Sequence, residues 1–215
     1  MNARFAAICL CVEMVSPLAA HRLDEYLQAT RLAIDMGRVD VEIDLTPGVS
    51  VAQNVFGWID TNGDGKISQA EGEAYARAVL RSAVLKADGV AVPMKFEDAS
   101  FPSLEEMSQG VGIIHLRAFA PIPPAAPGRH QISFLNMHRP EGSVYLVNVL
   151  VPENRRLRIG EQRRDVAQHG LALDYTVSDD VSRGRRVMLF LGLAMAGCLF
   201  LRYGISRREK AKQPG

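Results

Sequence analysis

One stretch of the chain, DTNGDGKISQAE at residues 60–71, sets oxygen-bearing groups at regular steps and ends on a carboxylate. Asp60, Asn62 and Asp64 stand at its first, third and fifth places, Lys66 offers a backbone carbonyl at the seventh, Ser68 stands at the ninth and Glu71 at the twelfth. A hard divalent cation takes six to eight oxygens, and a loop of this length can wrap one ion if its last residue supplies two of them. Gly65 falls sixth, where the chain must turn sharply. Calcium is the ion this pattern favours, because the smaller magnesium ion makes poorer use of a bidentate glutamate. An acidic surface turn also draws on Asp, Asn and Gly. That reading leaves Glu71 at the twelfth place unexplained.

The flanks of the loop must hold it in shape. Residues 51–59 switch to helical spacing, with Val55, Phe56 and Ile59 able to share a face. After the loop, SQAEGEAYARAVLRSAVLKAD is rich in alanine and leucine, which predicts a helix of four to five turns ending near the turn signal Asp88-Gly89. Over residues 51–86 the chain resembles the EF-hand family. The resemblance implies Ca²⁺ as the bound ion and Asp60, Asn62, Asp64, Lys66, Ser68 and Glu71 as its ligands. EF-hands pair through the residue at the eighth place, here Ile67, and no second such loop follows. Ile67 is therefore expected to pack on the rest of the domain, and the ion to be structural.

Around this insertion the pattern is that of strands. YLQATRLAIDMGRVDVEIDL alternates, with Leu32, Ile34 and Met36 on one face, a turn at Gly37, and Val39, Val41, Ile43 and Leu45 spaced by two. Further strand patterns are VAVPMKFED, GVGIIHLRAFAPI, RHQISFLNMHR, VYLVNVLVPE and LALDYTV, separated by turn-rich segments. The expected fold is mainly β with an α insertion: an antiparallel β-sandwich of about seven strands, with the helix-loop-helix placed between the second and third.

The two ends place the chain in a cell. Residues 1–20 hold an early arginine, an apolar run and small residues at Ala19 and Ala20, the layout of a signal peptide cut after Ala20. Residues 187–201 are uniformly apolar, and an extension to 205 gives a short membrane span with basic residues on both sides. The chain then divides into a leader at 1–20, an extracytoplasmic domain at 21–182, a transmembrane helix at 187–205 and a basic cytoplasmic tail at 206–215. The expected location is the inner (cytoplasmic) membrane, crossed once, with the main domain periplasmic. The three cysteines all lie in the two apolar ends, which excludes a disulfide or zinc-cysteine framework in the domain. This layout resembles the N-terminal extracytoplasmic domain of membrane proteins related to hydrogenase/urease nickel permeases. It implies a metal permease or a similar membrane protein as partner, though one short span offers no transport path.

A second chemistry competes with calcium binding. Cleavage after Ala20 leaves His21 at the mature N-terminus, where α-amine and imidazole can chelate Cu²⁺ or Ni²⁺. With a second histidine from His115, His130, His138 or His169, that arrangement is similar to copper-dependent polysaccharide oxygenases and periplasmic copper carriers. A transition-metal binding or delivery protein is thus the alternative function. No nucleophile elbow or cysteine nucleophile stands in the domain, so no enzyme is expected. Residues 21–182 carry 22 acidic against 16 basic side chains, and no nucleic-acid partner follows. The cluster Arg155, Arg156, Arg158, Arg163 and Arg164 could meet anionic lipid or a partner, and reads first as a solvated sheet edge.

Overall fold

The computed structural model describes residues 24–179. The leader, His21 and the segment 187–215 lie outside them. The first two strands, β1 (Tyr26–Ile34) and β2 (Arg38–Pro47), alternate buried and half-buried positions along their whole length. Their antiparallel register sets Leu32 against Val41 and Ile34 against Val39, as the twofold hydrophobic period requires. Two helices follow, α1 (Ala52–Ile59) and α2 (Gln69–Arg81), with the acidic loop between them.

Next come β3 (Ala83–Ala87), β4 (Val90–Val92), β5 (Lys95–Ser100), a short helix α3 (Leu104–Ser108) and β6 (Ile114–Pro121). The chain ends in β7 (Gly128–Asn136), β8 (Ser143–Val149), β9 (Leu157–Arg164) and β10 (Gly170–Val177). One sheet runs β5-β6-β2-β1-β8 and the other β4-β3-β7-β10-β9. A single core cluster joins Leu32, Val41 and Ile43 of the first sheet to Ile132, Phe134 and Leu173 of the second. The architecture is therefore a β-sandwich carrying the helical pair after its second strand.

Five details depart from the sequence expectations. Ten strands stand among the described residues where about seven were expected. Residues 83–87, expected to continue the helix, form β3: Ala83 and Leu85 are buried, Val84 and Lys86 exposed, and Leu85 pairs with Phe134. A strand-like period and a partner in β7 outweigh helix propensity there. VAVPMKFED is two strands in different sheets, because Pro93 cannot donate to a ladder and the chain crosses the sandwich beside it. In addition, β8 runs parallel to β1, with Tyr26 opposite Ser143. It reaches that edge from across the sandwich, so hairpin geometry does not fix its direction.

Residues 104–108 were expected as turn and form α3. Ser103 and Glu106 cap it reciprocally, and Met107 anchors it in the core. Helix α2 packs on the chain after β5 through a close contact at Gly72. A Cβ at Gly72 would come within 2.6 Å of the Phe101 ring. Gly72→Ala is therefore expected to cost about 1–3 kcal/mol through overpacking, read as a lower urea midpoint at unchanged slope.

Candidate metal centre

The loop between α1 and α2 is suspended from two buried anchors. On the incoming side Val55, Phe56 and Ile59 enter the core, and the Asp60 amide donates to the Phe56 carbonyl at 2.9 Å. On the outgoing side Ser68 caps α2, its hydroxyl oxygen accepting from the Glu71 amide at 3.3 Å. Ile67 is half-buried against the core and shares a recess with Phe96, Ala99 and Phe101. The expected packing of Ile67 on the sandwich is met on the side of β5.

Between these anchors the loop is organised by its own side-chain oxygens. Asp60 Oδ1 accepts from the amides of Gly63 at 2.8 Å and Asp64 at 3.2 Å, and its Oδ2 from Gly65 at 2.9 Å. Asn62 Oδ1 accepts from the Asp64 amide at 2.8 Å, and Asp64 Oδ1 from the Lys66 amide at 2.9 Å. Gly63 and Gly65 adopt φ of 72° and 81°, the left-handed conformation that lets the chain turn twice.

Glu71 closes the loop. Its Oε1 accepts from the Thr61 amide at 2.8 Å, the Thr61 hydroxyl at 3.0 Å and the Asn62 amide at 3.1 Å. Its Oε2 accepts from the Ser68 hydroxyl at 2.7 Å and the Ser68 amide at 3.0 Å. The Ser68 hydroxyl and amide, then Asn62 and Thr61, hold the carboxyl down at about 2. Glu71 is thus ionised across the physiological range.

Among the described residues no Lys or Arg pairs with Asp60, Asp64 or Glu71. Three carboxylates thus stand within one short loop with no side-chain ion pair among the described residues, although Lys66 lies in the same loop. The donor set, carboxylate and amide oxygens with a backbone carbonyl and a hydroxyl, is entirely hard and fits calcium in type. Its present arrangement does not gather three acidic or imidazole side chains about one point among the described residues. Glu71 is turned to the amides at the start of the loop and to Ser68.

A second group of polar residues lies beneath the helices. The hydroxyls of Tyr26 on β1 and Tyr75 on α2 are 2.9 Å apart, and the Tyr75 hydroxyl lies 3.2 Å from His138 Nε2. Gln28 Nε2 donates to the His138 carbonyl at 2.7 Å and to Ser143 Oγ at 3.0 Å, while Asn136 Nδ2 donates to Gln28 Oε1 at 2.9 Å. Tyr145 adds a donation to the His138 carbonyl at 2.7 Å. Burial raises the pKa of both Tyr26 and Tyr75, so both stay protonated donors. Apart from His138, one of the histidines considered for a metal chelate, no local pattern in the sequence marks this group as a whole. Its one signal is Gln28 and Thr30, polar residues at the inward places of an otherwise apolar alternation.

The network ties α2, one turn after Glu71, to β1 and to the segment beyond β7. Tyr75→Phe would leave the Tyr26 hydroxyl and His138 Nε2 short of a partner in the interior. A loss of about 1–3 kcal/mol is expected, measured by chemical denaturation.

The remaining histidines are dispersed. His115 Nδ1 lies 2.8 Å from Asp44 on an exposed sheet face. His130 lies 2.8 Å from Asp88, whose carboxylate raises the imidazole pKa ahead of the Ala126 carbonyl. His169 stands edge-on to the Tyr145 ring at 4.4 Å. The even spacing of His130 and His138 along one strand does not bring them together, since β7 ends at Asn136 and the two lie toward opposite ends of it.

Trp58 and Arg139 complete the surface near the loop, the guanidinium lying 3.5 Å from the ring centroid. Arg139 holds a left-handed φ of 49°, directly after buried His138. The basic cluster at 155–164 includes β9, an edge strand as expected, where Arg163 pairs with Asp174 and Arg164 donates to the Val147 carbonyl. Among the described residues no helix is long and apolar enough to cross a membrane. The chain matches no family model, and no curated protein or solved structure shows a significant similarity to it.

Proposed function

We propose that residues 60–71 bind one Ca²⁺ as a single EF-hand and that the bound ion braces the α1–α2 hairpin on the sandwich. The domain would stand on the extracytoplasmic side of the inner membrane, held by residues 187–205 after removal of a leader at 1–20. The observation that carries the reading is the absence, among the described residues, of any Lys or Arg paired with the loop's three carboxylates. Asp60, Asn62, Asp64, Ser68 and Glu71 would hold the ion through side chains and Lys66 through its carbonyl.

Because both flanking helices are rooted in the core, ion binding adds to the stability of the whole domain. Glu71 accepts five hydrogen bonds, so binding would exchange some of them. A dissociation constant of roughly 10⁻⁴–10⁻³ M, as in extracellular modules, is expected. Saturation to a hundredfold that constant adds about 2.7 kcal/mol, seen as a higher melting temperature. Glu71→Gln should abolish the rise. Equal melting of the wild type in calcium and in chelator would sink the proposal. A membrane partner such as a metal permease belongs to the same reading, and purification from the membrane with bound proteins retained tests it.

A further inference from the structure

The sandwich has two unlike ends. The acidic loop and Trp58 lie at one, and β10 finishes with Val177 at the other. Hydrogen bonds gather several segments at that second end. The Leu150 amide donates to the Leu32 carbonyl at 2.8 Å, Asn154 Nδ2 to Asp35 Oδ1 at 3.3 Å, and the Ser178 amide to the Arg156 carbonyl at 2.8 Å. The Ile122 amide reaches the Gly37 carbonyl at 3.0 Å, which brings the proline-rich residues 123–127 alongside.

The tip so formed pairs an apolar crest with charges of both signs: Leu150 and Val151 share a recess with Asp35, Asp40 and Glu153, and Asp179 is exposed just after β10. Val151 is 89% exposed and Leu150 43%, at the crest of the loop between β8 and β9. Arg155 and Arg158 are exposed beside them, Arg158 standing opposite Thr176 in the β10 ladder. The tip is not uniformly basic: Glu153 belongs to the same loop, and Asp35 accepts from Asn154 and the Met36 amide.

We propose that this end of the domain rests on an anionic lipid surface, with Val151 and Leu150 entering the headgroup layer and Arg155 and Arg158 meeting its phosphates. The proposal rests on the reading of residues 187–205 as a membrane span. Only seven residues, 180–186, separate the described chain from that span, and whatever their conformation they reach at most about 25 Å. A strand of eight residues like β10 is itself about 27 Å long. The tether therefore holds the β10 end within about one strand length of the bilayer, closer on average than the acidic loop.

The test uses the full chain reconstituted in vesicles carrying a lipid-borne fluorescence quencher. Trp58 is the chain's one tryptophan and lies at the far end, so the native protein should lose little emission. Val151→Trp in a Trp58→Phe background should emit at shorter wavelength and lose most of its emission in vesicles containing phosphatidylglycerol. Adding Arg155→Glu and Arg158→Glu should restore much of it. Quenching at position 151 no greater than at Trp58, in protein that floats with the vesicles, overturns the footprint while leaving the anchor intact. Quenching equal in neutral and anionic vesicles overturns the part assigned to lipid charge. Failure to float overturns the span and the footprint together.

Discussion

Lowering the pH from 7 to 4 is expected to remove about 3 kcal/mol of folding stability through His138 alone. This side chain is 6% exposed, and burial, followed by the charge of neighbouring Arg139, pushes its pKa down to about 4. In the unfolded chain it takes up a proton near 6.5. Between those two values the unfolded state binds more protons than the folded one, so stability is complete above about 6.5 and falls as the pH drops towards 4. Below that the contribution levels off.

Carboxylates also titrate at the acid end of this window, so the comparison must isolate the imidazole. Urea unfolding at a series of pH values, for the wild type and for His138→Gln, gives that isolation. The stability difference between the two should shrink by about 3 kcal/mol from pH 7 to pH 4. A difference independent of pH would show that His138 titrates in the folded protein as it does in water. The groups facing the ring are the Tyr75 hydroxyl, at 3.2 Å, and Arg139 next in the chain, and neither is a carboxylate that could hold the imidazolium.

The same residues show where the sequence was legible. The β1–β2 hairpin follows from strict alternation, and the acidic loop from the types and spacing of six residues, because both are local rules. Residues 83–87 look helical in sequence because Ala, Leu and Lys suit a helix locally. Their strand state is decided by β7, some 50 residues on in the chain. Helix α3 was legible in principle, since Ser103 and Glu106 stand at capping-box spacing within a stretch otherwise rich in turn residues. The Tyr26–Tyr75–His138 network was not, because its members come from β1, α2 and the segment after β7. Only the fold brings them together.

Ile59→Ala should be the most damaging single change near the loop, with an expected loss of about 2–5 kcal/mol. Ile59 is fully buried and immediately precedes Asp60, so its truncation leaves a cavity under the first of the proposed ligand positions. Gln53→Ala, on the exposed face of the same helix, should stay within about 0.5 kcal/mol of the wild type. Denaturation with and without calcium then separates packing from ion binding. If the helix merely loses core contacts, calcium adds the same increment to Ile59→Ala as to the wild type. If the core holds the loop in its binding shape, the increment shrinks, because part of the binding energy is spent on re-forming α1. The second outcome is expected, since the Asp60 amide is itself bonded to the Phe56 carbonyl of that helix. An unchanged stability on truncation would mean that α1 is not anchored through Ile59, and the brace would have nothing to hold.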